Sequence, residues 1–131
     1  MKTILLIEDN ISILENLSEY LEMEGYKILI AENGKKGIEI AREYIPDLII
    51  CDTKMPEMDG YEVLHLILGL AKTYNIPFIF STSNSENVDR EKAMALGADD
   101  YIIKPYEPQT LLIIAKKWIN SGSNRHYKNP V

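Results

Sequence analysis

The chain has 131 residues, 46% hydrophobic and 26% charged, a composition that fits one soluble globular domain with a hydrophobic core of its own. Its 20 acidic residues outnumber its 14 basic residues, and the net charge of −6 disfavours binding to nucleic acid. One cysteine, no long apolar run and no signal-peptide pattern together predict a cytoplasmic protein with no membrane association.

The first half of the chain alternates apolar strands with amphipathic helices. Residues 3–7 predict a buried strand, and leucines at helical spacing follow it as far as Gly25. Residues 26–31 predict a second strand, followed by a helix that Pro46 closes. Residues 47–51 predict a third strand that is apolar on both faces, as in the centre of a parallel sheet.

The second half continues this alternation. Gly60 opens a third helix, and residues 76–80 predict the fourth strand. A fourth helix ends at Gly97, residues 100–103 predict the fifth strand, and Pro108 stands where a fifth helix can start. Five strands alternating with five helices predict right-handed crossovers and a doubly wound α/β fold with a five-stranded parallel sheet.

The domain organisation that follows is simple. Residues 1–120 are predicted to form the α/β domain. Residues 121–131 are polar and show no periodicity, and they predict a flexible C-terminal tail.

Four of the five predicted strands end on a charged residue or a hydroxyl. These residues are Glu8 and Asp9, Asp52, Thr82 and Lys104, in strand order. Carboxyl ends of parallel strands meet at one edge of a sheet, so we expect a shared pocket. Two carboxylates about 4 Å apart repel by roughly 4 kcal/mol at an effective dielectric near 20, and a divalent cation reverses this. Each residue alone is typical of a loop or cap, but the set predicts a pocket for Mg²⁺ and a phosphoryl group.

The stretches LLIEDN, PDLIICDTKMPEMDG, IPFIFSTSN and GADDYIIKPY resemble response-regulator receiver domains of bacterial two-component signalling, over residues 2–120. The resemblance implies a flavodoxin-like sheet of order 2-1-3-4-5. It also implies that Asp52 accepts a phosphoryl group from a histidine kinase or a phosphotransfer protein in a reaction that needs Mg²⁺ or Mn²⁺.

The resemblance further implies a role for each site residue. The metal would be held by Glu8, Asp9, Asp52 and the backbone carbonyl of Lys54. Thr82 and Lys104 would bind the phosphoryl group, Tyr101 would be the switch aromatic, and a cis peptide bond would precede Pro105. Lys54 and Asn84 would tune the lifetime of the phosphorylated form. Glu8, Ser83 and Tyr106 depart from the family pattern, which commonly has Asp, Ala and Phe there.

The implied output is a change in conformation. The phosphoryl group would draw in Thr82, Tyr101 would turn inward, and the surface formed by the fourth helix, fifth strand and fifth helix would change. That surface would bind a downstream protein or, because Ile113 and Ile114 lie beside the core stripe of the fifth helix, a second copy of the chain. The chemistry would be limited to self-phosphorylation and self-dephosphorylation, so the chain is not expected to be an enzyme.

Three other functions compete with this interpretation. A haloacid-dehalogenase-type phosphatase needs a second acid two residues after its aspartate, where this chain has Lys54. A flavodoxin-like cofactor binder places a phosphate after the first strand, where Glu8 and Asp9 would repel it. A receiver-like interaction module that is never phosphorylated remains the open alternative.

Overall fold

The structure is a computed structural model that describes residues 1–83, 87–123 and 125. Five strands form one sheet in the order β2-β1-β3-β4-β5, and every neighbouring pair is parallel. The strands are β1 (Thr3–Ile7), β2 (Lys27–Ala31), β3 (Leu48–Asp52), β4 (Phe78–Thr82) and β5 (Asp100–Ile103). The predicted fold class and strand order are therefore confirmed.

Six helices lie within the described ranges, one more than predicted. They are α1 (Ile11–Met23), α2 (Gly34–Tyr44), α3 (Gly60–Leu68), α4 (Ala71–Tyr74), α5 (Asn87–Ala95) and α6 (Pro108–Ser121). The additional helix α4 is a single turn, and the hydroxyl of its buried Thr73 donates to the carbonyl of Ile67 at 2.7 Å. A helix of one turn is too short to show an apolar repeat, so the sequence pattern could not reveal it.

Side-chain caps fix the starts of the first three helices. Asn10, Asn33 and Asp59 each accept a hydrogen bond from the backbone amide three residues further on. Each cap is the last residue of the loop that joins a strand to the next helix, so it fixes where that loop ends. The loops that carry the predicted site residues are thereby held at defined positions.

Alternate side chains of the central strands enter two separate hydrophobic cores. Ile49 and Phe80 pack on one face with residues of α2, α3 and α5. Ile50 and Ile79 pack on the other face with residues of α1 and α6. Every residue of β3 is buried because the sheet is covered on both sides, which explains the uninterrupted apolar run before Asp52.

The register aligns the carboxyl ends of the strands. Ile7 of β1 pairs with Cys51 of β3, so the residues that follow them, Glu8 and Asp52, emerge side by side. Asp52 in turn pairs with Ser81 of β4. The strand-end residues are thus brought to one edge of the sheet.

The C-terminal segment contacts the domain at its described positions. Helix α6 continues to Ser121, and the guanidinium of Arg125 forms an ion pair with Asp99. Most of the predicted tail, 121–131, lies outside the described residues, and its flexibility stays a prediction. None of the helices in the described ranges combines the length and hydropathy that a membrane span requires.

Candidate functional site

Three carboxylates meet at the carboxyl edge of the sheet. Glu8, Asp9 and Asp52 each offer an oxygen, and these oxygens all lie within 4.8 Å of one another. Glu8 and Asp52 are buried, with 6% and 9% of their surface exposed, whereas Asp9 is open to solvent. We call this cluster the acidic pocket.

Lys104 provides the positive charge of the acidic pocket. Its Nζ lies 2.5 Å from Glu8 Oε1 and 3.5 Å from Asp52 Oδ2. Burial lowers the pKa of this ammonium, but the hydrogen bond to Glu8 and the nearby carboxylates outweigh burial and leave the pKa raised. Lys104 is therefore charged at neutral pH and is placed to contact an anionic group on Asp52.

The surroundings of Glu8 in the acidic pocket disfavour its ionised form. Burial, followed by the neighbouring Asp52 carboxylate, raises its pKa from 4.5 to about 7 against the opposing effect of Lys104. Within the described residues, its Oε2 is buried and has no hydrogen-bond partner. An unpaired carboxylate oxygen beside two other carboxylates is the donor set that a hard divalent cation binds.

Backbone contacts hold Asp52 in place. The amide of Lys54 donates to Asp52 Oδ1 at 3.2 Å, and the amide of Gly60 donates to the carbonyl of Thr53 at 3.0 Å. A Cβ at Gly60 would lie 2.3 Å from the Asp52 carbonyl oxygen, so no larger residue fits without movement of the chain. The sequence Asp59-Gly60 thus serves two purposes, since it caps α3 and lets α3 approach the end of β3.

Thr82 is buried beside this site, and its partner was not predicted. The hydroxyl of Thr53 donates to Thr82 Oγ1 at 2.7 Å. Nothing in the sequence distinguished Thr53 except its position after Asp52, because a threonine in a loop usually bonds to its own backbone. Tyr101 lies inward with 4% of its surface exposed, in the same core as Phe80.

The remaining predicted residues are placed as follows. The peptide bond between Lys104 and Pro105 is cis. Lys54 is exposed next to Asp52, and Asn84 lies outside the described residues.

Two further side-chain contacts, one beside the site and one at the opposite edge of the sheet, were missed from the sequence. The Tyr106 hydroxyl lies 3.3 Å from Ser81 Oγ, and burial raises the pKa of that phenol. Trp118 Nε1 donates to Asp100 Oδ2 at 2.8 Å and so ties α6 to β5. Both contacts join residues far apart in the chain, and no local pattern of the sequence reports them.

Comparisons with known proteins agree with this geometry. Residues 4–116 match the family described as the response regulator receiver domain. The chain is 35% identical over 108 residues to the transcriptional regulatory protein CreB of Escherichia coli K12, covering 82% of this chain and 46% of that protein. The chain thus spans about half the length of the curated relatives it matches, with 45% and 55% for two others.

Solved structures show the same similarity. A response regulator receiver domain protein from Clostridium thermocellum has a TM-score of 0.85 at 32% identity, covering 92% of this chain and 95% of that one. The receiver domain of a sensor histidine kinase from Pseudomonas aeruginosa PAO1 has a TM-score of 0.80 at 30% identity, covering 92% and 98%. That second structure is described as having a magnesium ion coordinated in its active site cleft.

Proposed function

This chain belongs to the response regulator receiver domain family, and on that premise we propose that it accepts a phosphoryl group on Asp52 and signals through a change in conformation. The donor would be a histidine kinase or a phosphotransfer protein of a two-component system. One observation carries the proposal: Lys104 Nζ lies 3.5 Å from Asp52 Oδ2 within a pocket of three carboxylates.

The acidic pocket fits a divalent cation. Glu8, Asp9, Asp52 and the backbone carbonyl of Lys54 would hold Mg²⁺ or Mn²⁺. When bound, the cation supplies positive charge that offsets the carboxylates and the oxygens of an incoming phosphoryl group. The unpaired Oε2 of Glu8 and the magnesium ion described in the Pseudomonas aeruginosa relative both support this assignment.

Asp52 would act as the nucleophile. A carboxylate oxygen forms a bond to phosphorus while the bond from phosphorus to the leaving nitrogen of phosphohistidine breaks, and that electron pair stays on the imidazole. Lys104 is placed to contact a phosphoryl oxygen, and Thr82 would donate to another. The residues of the pocket would therefore position the reacting groups and neutralise the charge of the phosphoryl oxygens. These two effects are the main requirement of phosphoryl transfer.

The proposed output is a shift between two conformations. Tyr101 already lies inward. A phosphoryl group contacted by Thr82 would therefore stabilise an arrangement of Tyr101 that the chain already adopts. The affected surface, which we call the output face, consists of α5, β5 and α6. Ile113 of α6 is 69% exposed there, whereas Ile114 is partly buried against the core. Ile103 of β5 and Leu96, which directly follows α5, add apolar surface for a downstream protein or a second copy of the chain.

The test of the proposed function is chemical. The full chain is incubated with acetyl phosphate and Mg²⁺, and intact mass spectrometry measures the gain of one phosphoryl group. Transfer from acetyl phosphate forms the bond from Asp52 to phosphorus and releases acetate, so no other reactant is needed. We expect the gain in the wild-type chain and not in Asp52→Asn, with circular dichroism confirming that both fold.

The opposite result would favour the open alternative. A chain that binds Mg²⁺ yet gains no phosphoryl group from acetyl phosphate or from a phosphorylated histidine kinase would act as an interaction module. A gain that persists in Asp52→Asn would place the modification on another residue and overturn the assignment of Asp52.

A further inference from the structure

The hydrogen bond between Thr53 and Thr82 joins two hydroxyls that are shielded from water. Thr53 is 4% exposed and Thr82 is 1% exposed, and their oxygens are 2.7 Å apart. Because both hydroxyls are shielded from solvent, water does not replace this bond when it breaks, and breaking it costs free energy.

The bond lies on the face of the sheet opposite to the Asp52 carboxylate. Alternate residues of a strand point to opposite faces, and Phe80 belongs to the core on the α2 and α3 side. Thr82, two residues after Phe80, points to that side, whereas Asp52 shares the other side with Ile50 and Ser81. The Thr82 hydroxyl is therefore turned away from the carboxylate that would carry the phosphoryl group.

The backbones of both threonines are fixed. The carbonyl of Thr53 accepts from Gly60, and the carbonyl of Thr82 accepts from the amide of Lys104 at 2.6 Å. Rotation of the Thr82 side chain is then the smallest movement that brings its hydroxyl toward Asp52. That rotation would take Thr82 Oγ1 away from Thr53.

We propose that Thr53 is a positioning residue that holds the Thr82 hydroxyl in the arrangement of the unphosphorylated chain. This inference rests on the proposed function, because it assigns Thr82 a phosphoryl group to turn to. Loss of the Thr53 hydroxyl leaves Thr82 less well satisfied before phosphorylation but not after it. Removal of that hydroxyl therefore favours the phosphorylated arrangement.

The test uses beryllium trifluoride with Mg²⁺, a mimic of the phosphoryl group, and measures its affinity for the full chain by calorimetric titration. Thr53→Val keeps the shape and removes the hydroxyl. We expect it to raise the affinity about fivefold, equivalent to about 1 kcal/mol, and to lower the unfolding temperature of the free chain. Thr53→Ser keeps the hydroxyl and should behave as the wild type.

Thr73→Val is the matched control. Its hydroxyl is also buried and donates to the carbonyl of Ile67, far from the acidic pocket. This variant should lower the unfolding temperature and leave the affinity for beryllium trifluoride unchanged. A purely structural role for Thr53 would give the same pattern in Thr53→Val.

The outcomes separate the inference from the function on which it rests. Unchanged or weaker binding by Thr53→Val, with tight binding by the wild type, overturns the role of Thr53 alone. No binding by the wild type, or equal binding by Asp52→Asn, overturns the proposed function as well. If Thr53→Val does not fold, Thr53→Ala is measured in its place with the same criteria.

Discussion

Glu8 and Lys104 form a partly buried ion pair with 2.5 Å between Oε1 and Nζ, and the same ammonium also lies 3.5 Å from Asp52. One positive charge thus faces the three carboxylates of the acidic pocket. Burial, followed by the neighbouring Asp52 carboxylate, raises the pKa of Glu8 to about 7 against the opposing effect of Lys104.

This raised pKa predicts how stability depends on pH. Between pH 4.5, the ordinary pKa of a glutamate, and about pH 7, the folded chain retains a proton on Glu8 that the unfolded chain releases. Stability without Mg²⁺ should therefore fall as the pH rises through this window. Glu8→Gln has no proton to lose, so its stability should fall less over the same window.

Urea denaturation of both chains at about pH 5 and about pH 8 measures the effect. Glu15→Gln, an exposed glutamate of α1, is the control and should follow the wild type. Added Mg²⁺ should remove most of the loss in the wild type, because a bound cation favours the ionised carboxylate. Identical pH dependence in the wild type and Glu8→Gln would contradict the raised pKa.

The position of Lys54 predicts that its side chain lengthens the lifetime of the phosphorylated form. Its side chain is exposed and follows Asp52 by two residues, with its amide bonded to the Asp52 carboxylate. A long side chain over Asp52 would hinder an attacking water, so Lys54→Asn should speed loss of the phosphoryl group several-fold. The decay is followed by intact mass after removal of acetyl phosphate. Lys54→Arg keeps the bulk and should decay slowly, and equal rates in all three chains would exclude this role.

The sequence predicted the sheet well because buried parallel strands leave a strong local signal. The apolar run before Asp52 indicated a central strand, and β3 is buried throughout. A shared site could then be inferred from the residues that follow the strands. The parallel topology itself brings Glu8, Asp9, Asp52 and Lys104 to one edge of the sheet. The site was predictable to the extent that it follows from topology.

The contacts that depend on side-chain packing were not predictable. The bond from Thr53 to Thr82 and the bond from Trp118 to Asp100 each join residues with no pattern in common. The same holds for Arg125, which lay in a segment with a composition typical of a tail. Polar composition describes the average residue of such a segment and gives no information about one side chain that finds a buried partner.

The close approach of Gly60 to the end of β3 predicts that a larger residue at this position would disturb the acidic pocket. A Cβ there would lie 2.3 Å from the Asp52 carbonyl oxygen and 2.9 Å from Thr53 Cα, and backbone cannot yield as a side chain can. Gly60→Ala should cost about 1–3 kcal/mol of stability and slow phosphorylation of Asp52, because the end of β3 must shift. Gly69→Ala, whose Cβ would meet only ordinary contacts from 3.4 Å, is the control. Urea denaturation and labelling by acetyl phosphate check both, and a wild-type rate in Gly60→Ala would contradict the requirement.

Arg125 stabilises the opposite edge of the sheet, where it pairs with the buried Asp99. Its Nη1 lies 2.8 Å from Asp99 Oδ2, and its guanidinium also donates to the carbonyls of Tyr74, Ile76 and Gly97. Arg125→Ala leaves the Asp99 carboxylate buried without its cation, so we expect a loss of about 3–5 kcal/mol. Arg125→Lys should recover part of this, since an ammonium keeps the charge but cannot reach all four partners.

The control for Arg125 is Arg90→Ala, an exposed arginine of α5 that should change stability by less than about 0.5 kcal/mol. Urea denaturation measures all of these variants. Labelling of Asp52 by acetyl phosphate should continue in Arg125→Ala at temperatures where the chain stays folded, because Arg125 contacts the loops before β4 and β5 and not the acidic pocket. A stability equal to that of the wild type would show that the C-terminal segment does not hold the domain together in this way.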